Sequence, residues 1–139
     1  QGALVTLVDR KSKLTLMGKV DRYTCEAVEK TIISPMELLP RPNYTLTVDN
    51  GKEFASHESV ADALRIRVYF ADPYSAWQRG LNENTNGLIR QYVPKGSEVR
   101  TLTNEQVQHI MDRLNNRPRK SLGFLTPNEV FYERKKLTG

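Results

Sequence analysis

A single cysteine, Cys25, leaves this 139-residue chain without an intrachain disulfide or a cysteine-based zinc site. Of its two histidines, His109 has no partner at metal-ligand spacing. No apolar run approaches the roughly 20 residues needed to cross a bilayer. No charged n-region followed by an apolar h-region opens the chain. Internal repeats and low-complexity segments are missing as well.

What is present suits one compact core, with 38% hydrophobic residues. The net charge of +5 is unevenly placed. Residues 1–85 carry eleven Lys/Arg and eleven Asp/Glu, whereas residues 86–139 carry ten against five. The whole excess falls in the later part. Such an excess suits a polyanion partner, because neutralising phosphates releases condensed counterions. A solvated basic face is the plainer alternative.

Periodicity and turn residues divide the chain into alternating strands and helices. Ala3 to Val8 is a β-rich run, Asp9-Arg10-Lys11-Ser12 reverses it, and Leu14 to Val20 returns antiparallel. Thr24 can cap a helix running to about Ile33, ended by Ser34-Pro35. Cys25, beside Glu26, Ala27 and Val28, reads as helix packing. The Pro40-Arg41-Pro42 loop leads into a buried strand from Tyr44 to Val48. A helix from about Phe54 to Leu64 places Phe54, Val60, Ala61 and Leu64 near one face, and Arg67 to Phe70 reads as a further strand. Residues 71–80 read as a Pro/Gly loop. Helices follow around Leu81 to Tyr92, Asn104 to Asn115 and Pro127 to about Lys136. The order is that of an α/β domain.

Two carboxylates stand out. Asp49 ends the buried strand before the Asn50-Gly51 turn, and Glu83 stands near a helix start with 33 residues between them. Mg²⁺ and Mn²⁺ prefer carboxylate oxygens, so two acids converging from separate elements can hold a cation against a phosphodiester. Helical spacing sets Asn86, Gly87 and Arg90 on the Glu83 face. Arg90 then reaches a phosphate or forms an ion pair. Asn50 and Lys52 flank Asp49, where Asn50 orients a ligand or makes the turn. Trp77 stacks on a base or anchors its loop to the core. His57, eight residues after Asp49, approaches the site or is a solvated residue at a helix start. Arg117, Arg119 and Lys120, around Pro118, contact phosphates or cap the preceding helix.

The phrases that carry these residues are Pro73-Tyr74-Ser75-Ala76-Trp77-Gln78-Arg79-Gly80-Leu81-Asn82-Glu83-Asn84-Thr85-Asn86-Gly87-Leu88-Ile89-Arg90 and Leu114-Asn115-Asn116-Arg117-Pro118-Arg119-Lys120-Ser121-Leu122-Gly123, then Thr126-Pro127-Asn128-Glu129-Val130-Phe131. Together they resemble the Asp-Asp-Glu transposases and retroviral-type integrases. The best match is to bacterial insertion-sequence transposases of the insertion sequence thirty type, over nearly the whole chain.

The resemblance implies a catalytic core over residues 1–139, built as a ribonuclease H-like mixed sheet with flanking helices. It implies metal-dependent DNA cleavage and strand transfer, with Asp49 and Glu83 as catalytic residues and ligands of Mg²⁺ or Mn²⁺ in a two-metal site of the complete protein. Lys52, Arg79, Asn86, Arg90, Arg117, Arg119 and Lys120 are the expected DNA contacts. Expected partners are transposon ends, target DNA and further copies in a homo-oligomer, on the nucleoid in the bacterial cytoplasm, with no membrane.

The family's first catalytic Asp falls upstream of Gly2, so the chain is expected to be N-terminally truncated. The truncation would leave an empty central slot between the hairpin and the Asp49 strand, and the fragment would be inactive alone. Asp9, at the hairpin tip, is expected to point away from the active end. The competing function class is a non-catalytic DNA-binding or assembly remnant.

Overall fold

The computed structural model describes residues 2–33, 43–50, 54–55, 58–71, 76–79 and 83–138. The hairpin forms as its pattern dictates. Strands β1 (Ala3–Asp9) and β2 (Thr15–Val20) pair antiparallel, from Ala3 opposite Val20 to Val8 opposite Thr15. Asp9 makes the reversal. Its Oδ2 accepts from the backbone N–H and the hydroxyl of Ser12, whose oxygen accepts from the Leu14 N–H. Lys13 takes a left-handed φ of 64° to close the turn.

Strand β3 (Asn43–Asp49) pairs antiparallel with the other edge of β1, Leu4 facing Asp49 and Asp9 facing Tyr44. This corrects the expectation of an open slot between the hairpin and the Asp49 strand. Buried backbone groups need partners, and here the two ladders satisfy each other directly. The outer edge of β3 takes β4 (Phe54–Ala55) antiparallel and β5 (Ala76–Arg79) parallel. The sheet is therefore mixed.

Alternation along the strands feeds two cores. Val5, Leu7, Tyr44, Leu46 and Val48 form one with Val28 of α1 (Cys25–Val28), Ile32 of the π-helical turn Glu29–Ile33, and Leu64 of α2 (Glu58–Ala71). Leu4 and Met17 join the other, covered by Ile89 of α3 (Glu83–Ile89) and by Val107, Ile110 and Leu114 of α4 (Asn104–Asn115). Helices thus lie on both faces of a mixed sheet. Cys25 packs against the first core, where burial raises its thiol pKa.

Thr24 caps α1 as its position suggests, its hydroxyl accepting from the Ala27 N–H. Two elements differ from expectation. The helix expected from Phe54 begins at Glu58 and continues to Ala71, absorbing residues 67–70 that read as a strand. No Gly, Pro or Asn interrupts residues 59–71, so the helical ladder propagates through β-branched and aromatic residues whose propensity is only a weak bias. Val60 and Leu64 pack inward, Ile66 and Phe70 are exposed, and Arg67 pairs with Glu26 and Glu29 at 3.2 and 3.0 Å. The strand comes instead from the expected loop, as β5. Ser34-Pro35 and Pro40-Arg41-Pro42 lie outside the described residues.

Helix α4 opens on a capping box between Thr103 and Gln106 and ends at buried Asn115. The Asn115 Oδ1 accepts from the Thr15 N–H, and its Nδ2 donates to the Thr15 carbonyl, both at 2.8 Å. A side-chain amide here takes the place of a neighbouring strand on the outer edge of β2. Further along that strand the Lys19 ammonium donates to the Arg100 and Leu102 carbonyls at 2.9 and 2.8 Å.

Asn115→Ala is expected to cost about 2–4 kcal/mol, because it leaves two buried backbone groups unpaired. Asn115→Asp, which accepts but does not donate, should recover only part. Urea unfolding measures both, and a loss below about 0.5 kcal/mol would show that solvent replaces the amide.

Candidate functional site

The alternation that buries Tyr44, Leu46 and Val48 in one core turns Thr45, Thr47 and Asp49 to the opposite side. Asp49 is fully buried at the end of β3. A carboxylate in that position costs several kcal/mol of lost hydration unless it is compensated. Compensation comes from Arg90, 22% exposed, whose Nη1 lies 3.1 Å from Asp49 Oδ2. The same nitrogen lies 3.4 Å from the Val93 carbonyl, and the Arg90 N–H donates to the Asn86 carbonyl, extending the last turn of α3. Arg90 is therefore an ion-pair partner of Asp49 in this structure.

Polar groups collect on the strands and helix that meet here. Thr6 and Thr47 face each other across β1 and β3, both buried. Neither hydroxyl has a hydrogen-bond partner among the described residues, and the same holds for Asn86 Oδ1 on α3. An oxygen left in this state costs about 1–3 kcal/mol.

Glu83 opens α3, about 10 Å along the helix axis from Arg90. Its side chain is outside those described, as is that of Arg79 at the end of β5 and that of Trp77 within it. Lys52 and His57 lie outside the described residues. Asn50 is exposed just after β3, and His109 is exposed on α4. A Cβ on Gly87 would meet nothing within 4 Å, so α3 is open there. Asp9 lies five strand positions from the Leu4–Asp49 pair, about 17 Å away, and is committed to its turn.

Among the described residues no group of three or more His, Cys, Asp or Glu could hold a metal ion. Asp49 offers one carboxylate, already facing a guanidinium. The described donors alone do not fit a Mg²⁺ or Mn²⁺ site, which needs several oxygen ligands.

The three basic residues after α4 take different places. Arg119 is only 5% exposed, and its Nη2 donates to the Leu114 carbonyl at 3.0 Å, closing the helix end. Its Nε and Nη1 are buried without a partner among the described residues. Burial, and then the charge of Arg117, lower its pKa. Arg117 is exposed and reaches Gln91 Oε1 at 3.3 Å, and Lys120 is exposed. With Asn84, Leu88 and Phe124 they line a cleft of about 600 Å³. Phe124 escaped the sequence reading. Its one signal is an aromatic placed directly after Gly123, within a turn segment.

Fold and site together define a mixed α/β unit with a buried strand-end acid gripped by a helix arginine, and a basic cleft against the same helix. In sequence the chain is 47% identical over 131 residues to the transposase for insertion sequence element IS4351 of Bacteroides fragilis, covering 94% of this chain and 40% of that protein. It is 42% identical over 131 residues to the transposase for IS1086 of Cupriavidus metallidurans, covering 94% and 39%. Transposase InsI for IS30A of Escherichia coli is 42% identical over 128 residues, covering 91% and 33%. By sequence, then, the chain is related to the insertion-sequence transposases of the IS30 type. It spans about 40% or less of the length of these relatives. No family model and no solved structure matches it. Among the described residues no helix is long and apolar enough to cross a membrane.

Proposed function

We propose that this chain is part of the catalytic core of an IS30-type transposase, a ribonuclease H-like domain of the Asp-Asp-Glu class that cleaves DNA at transposon ends and joins it to a target. The observation that carries the reading is the match to transposases along 91–94% of the chain. Asp49 and Glu83 are the proposed catalytic carboxylates, and Mg²⁺ or Mn²⁺ the proposed cofactor. The cation assignment rests on the family resemblance, since the described donors do not complete a ligand set. Within the proposal, Asp49 is a carboxylate held rigid by burial and by Arg90, while Arg117 and Lys120 offer exposed positive charge to phosphates. The active complex is proposed to be homo-oligomeric and bound to nucleoid DNA.

The test is DNA joining by the intact protein, with labelled transposon-end duplexes, a plasmid target and either cation. Covalently joined product supports the proposal. Duplex binding with neither nicking nor joining would favour a non-catalytic DNA-binding or assembly role, a second reading to which the Arg90 grip on Asp49 lends weight.

DNA contact is read separately through ionic strength. Gln at Arg117 and Lys120 is expected to weaken binding to unrelated duplexes alike and to flatten the log–log salt slope by about one unit per lost phosphate contact. Arg119→Gln should lower the melting temperature instead, because Arg119 closes α4. An unchanged salt slope in the Arg117 and Lys120 variants would remove the loop from the DNA interface.

A further inference from the structure

We propose that the cleft between α3 and the 117–124 loop binds an unpaired nucleotide, with Phe124 stacked on its base and Arg117 and Lys120 on the flanking phosphates. The inference rests on the DNA reading above and adds to it the form of DNA that this surface takes.

Phe124 carries it. The residue is 69% exposed, yet its backbone sits at φ 68°, directly after Gly123 at φ 62°. Bulky side chains rarely adopt that region, and here burial of the ring does not offset the strain. The loop nevertheless holds the residue firmly. The Arg119 N–H donates to the Leu125 carbonyl, the Phe124 N–H to the Arg119 carbonyl, and the Gly123 N–H to the Lys120 carbonyl, at 2.9, 2.9 and 3.1 Å. The result is a fixed aromatic face presented to solvent.

Its surroundings choose the ligand. Arg117, Arg119 and Lys120 line the same cleft, and among the described residues no carboxylate lines it. Asn84, on the opposite wall, follows Glu83 directly, so a bound nucleotide would lie beside the start of α3. At about 600 Å³ the cleft falls in the range that holds a small ligand. Basic groups around an aromatic face are the features that bind single strands, where phosphates meet the cations and bases meet the ring. A closed duplex covers its base faces, so the aromatic selects an unpaired one.

Anisotropy with the intact protein tests this on three probes: a single-stranded oligonucleotide, a blunt duplex of the same sequence, and that duplex with a frayed 3′ end. Phe124→Gly relieves the left-handed φ, so its melting temperature should hold or rise. Its affinity for the single strand and the frayed duplex should fall about tenfold or more, with blunt-duplex affinity changed less than about twofold. Phe124→Leu, which keeps the apolar bulk, should show the same selective loss, and Phe124→Trp should retain affinity and have its emission quenched by the single strand. Unchanged single-strand affinity in both Phe124→Gly and Phe124→Leu overturns the stacking role, and the DNA reading survives if blunt duplex still binds. Failure of the unaltered protein to bind any probe overturns both. A shift from dimer to monomer in sedimentation, with single-strand affinity intact, would assign the face to a second copy and overturn the proposal.

Discussion

Asp49→Ala and Glu83→Ala are each expected to reduce DNA joining by the intact protein about a thousandfold or more, while duplex binding changes only a few-fold. Cation-assisted charge stabilisation in phosphodiester chemistry is worth several kcal/mol, and each 1.36 kcal/mol off a barrier is about tenfold in rate. Binding is spared because Asp49 is buried and turned toward α3, while the exposed cations lie on the 117–124 loop. Asp49→Ala also removes the carboxylate that faces Arg90, so its melting temperature must be measured alongside. Asp49→Asn keeps the shape and separates loss of charge from loss of fold. A folded Asp49→Ala protein that joins DNA at more than about a tenth of the normal rate would end the catalytic assignment.

Arg90→Gln is the second large effect, this time on stability. Removing one member of a buried ion pair withdraws compensation from the other's charge and costs about 3–5 kcal/mol, which for a chain of this size lowers the melting temperature by on the order of 10 °C. Arg90 is partly exposed, so the lower end of that range is expected. The double variant Asp49→Asn/Arg90→Gln should regain more than half of the loss, since two amides need no charge compensation. Thermal melts and urea titrations of the two single variants and the double variant measure the coupling. A loss below about 1 kcal/mol for Arg90→Gln would mean that solvent screens the pair as it does at a surface.

Elements specified by local signals were legible in the chain. The cap at Thr24, the reversal at Asp9 and the buried strand of Tyr44, Leu46 and Val48 all depend on residues a few positions apart. Tertiary competition decided the rest. Residues 67–70 have strand-like composition, yet no breaker separates them from the helix that precedes them. The direct pairing of β1 with β3 joins segments about 40 positions apart, and spacing alone does not report it. In the site, Asp49 could be placed at a strand end from sequence, but its grip by Arg90 depends on how α3 seats against the sheet. Phe124 was invisible because its conformation follows from backbone hydrogen bonds closing over Arg119.

The clasp between Asn115 and Thr15 also bears on self-association. An uncovered outer strand is a template onto which other molecules can add their own strands, the first step toward cross-β aggregates. On β2 one end of that template is occupied by an amide and the other is tied down by a lysine reaching a neighbouring loop. Copies of this chain brought together on a polymer would therefore be steered away from strand addition along that side, leaving helices and loops as the surfaces through which they meet.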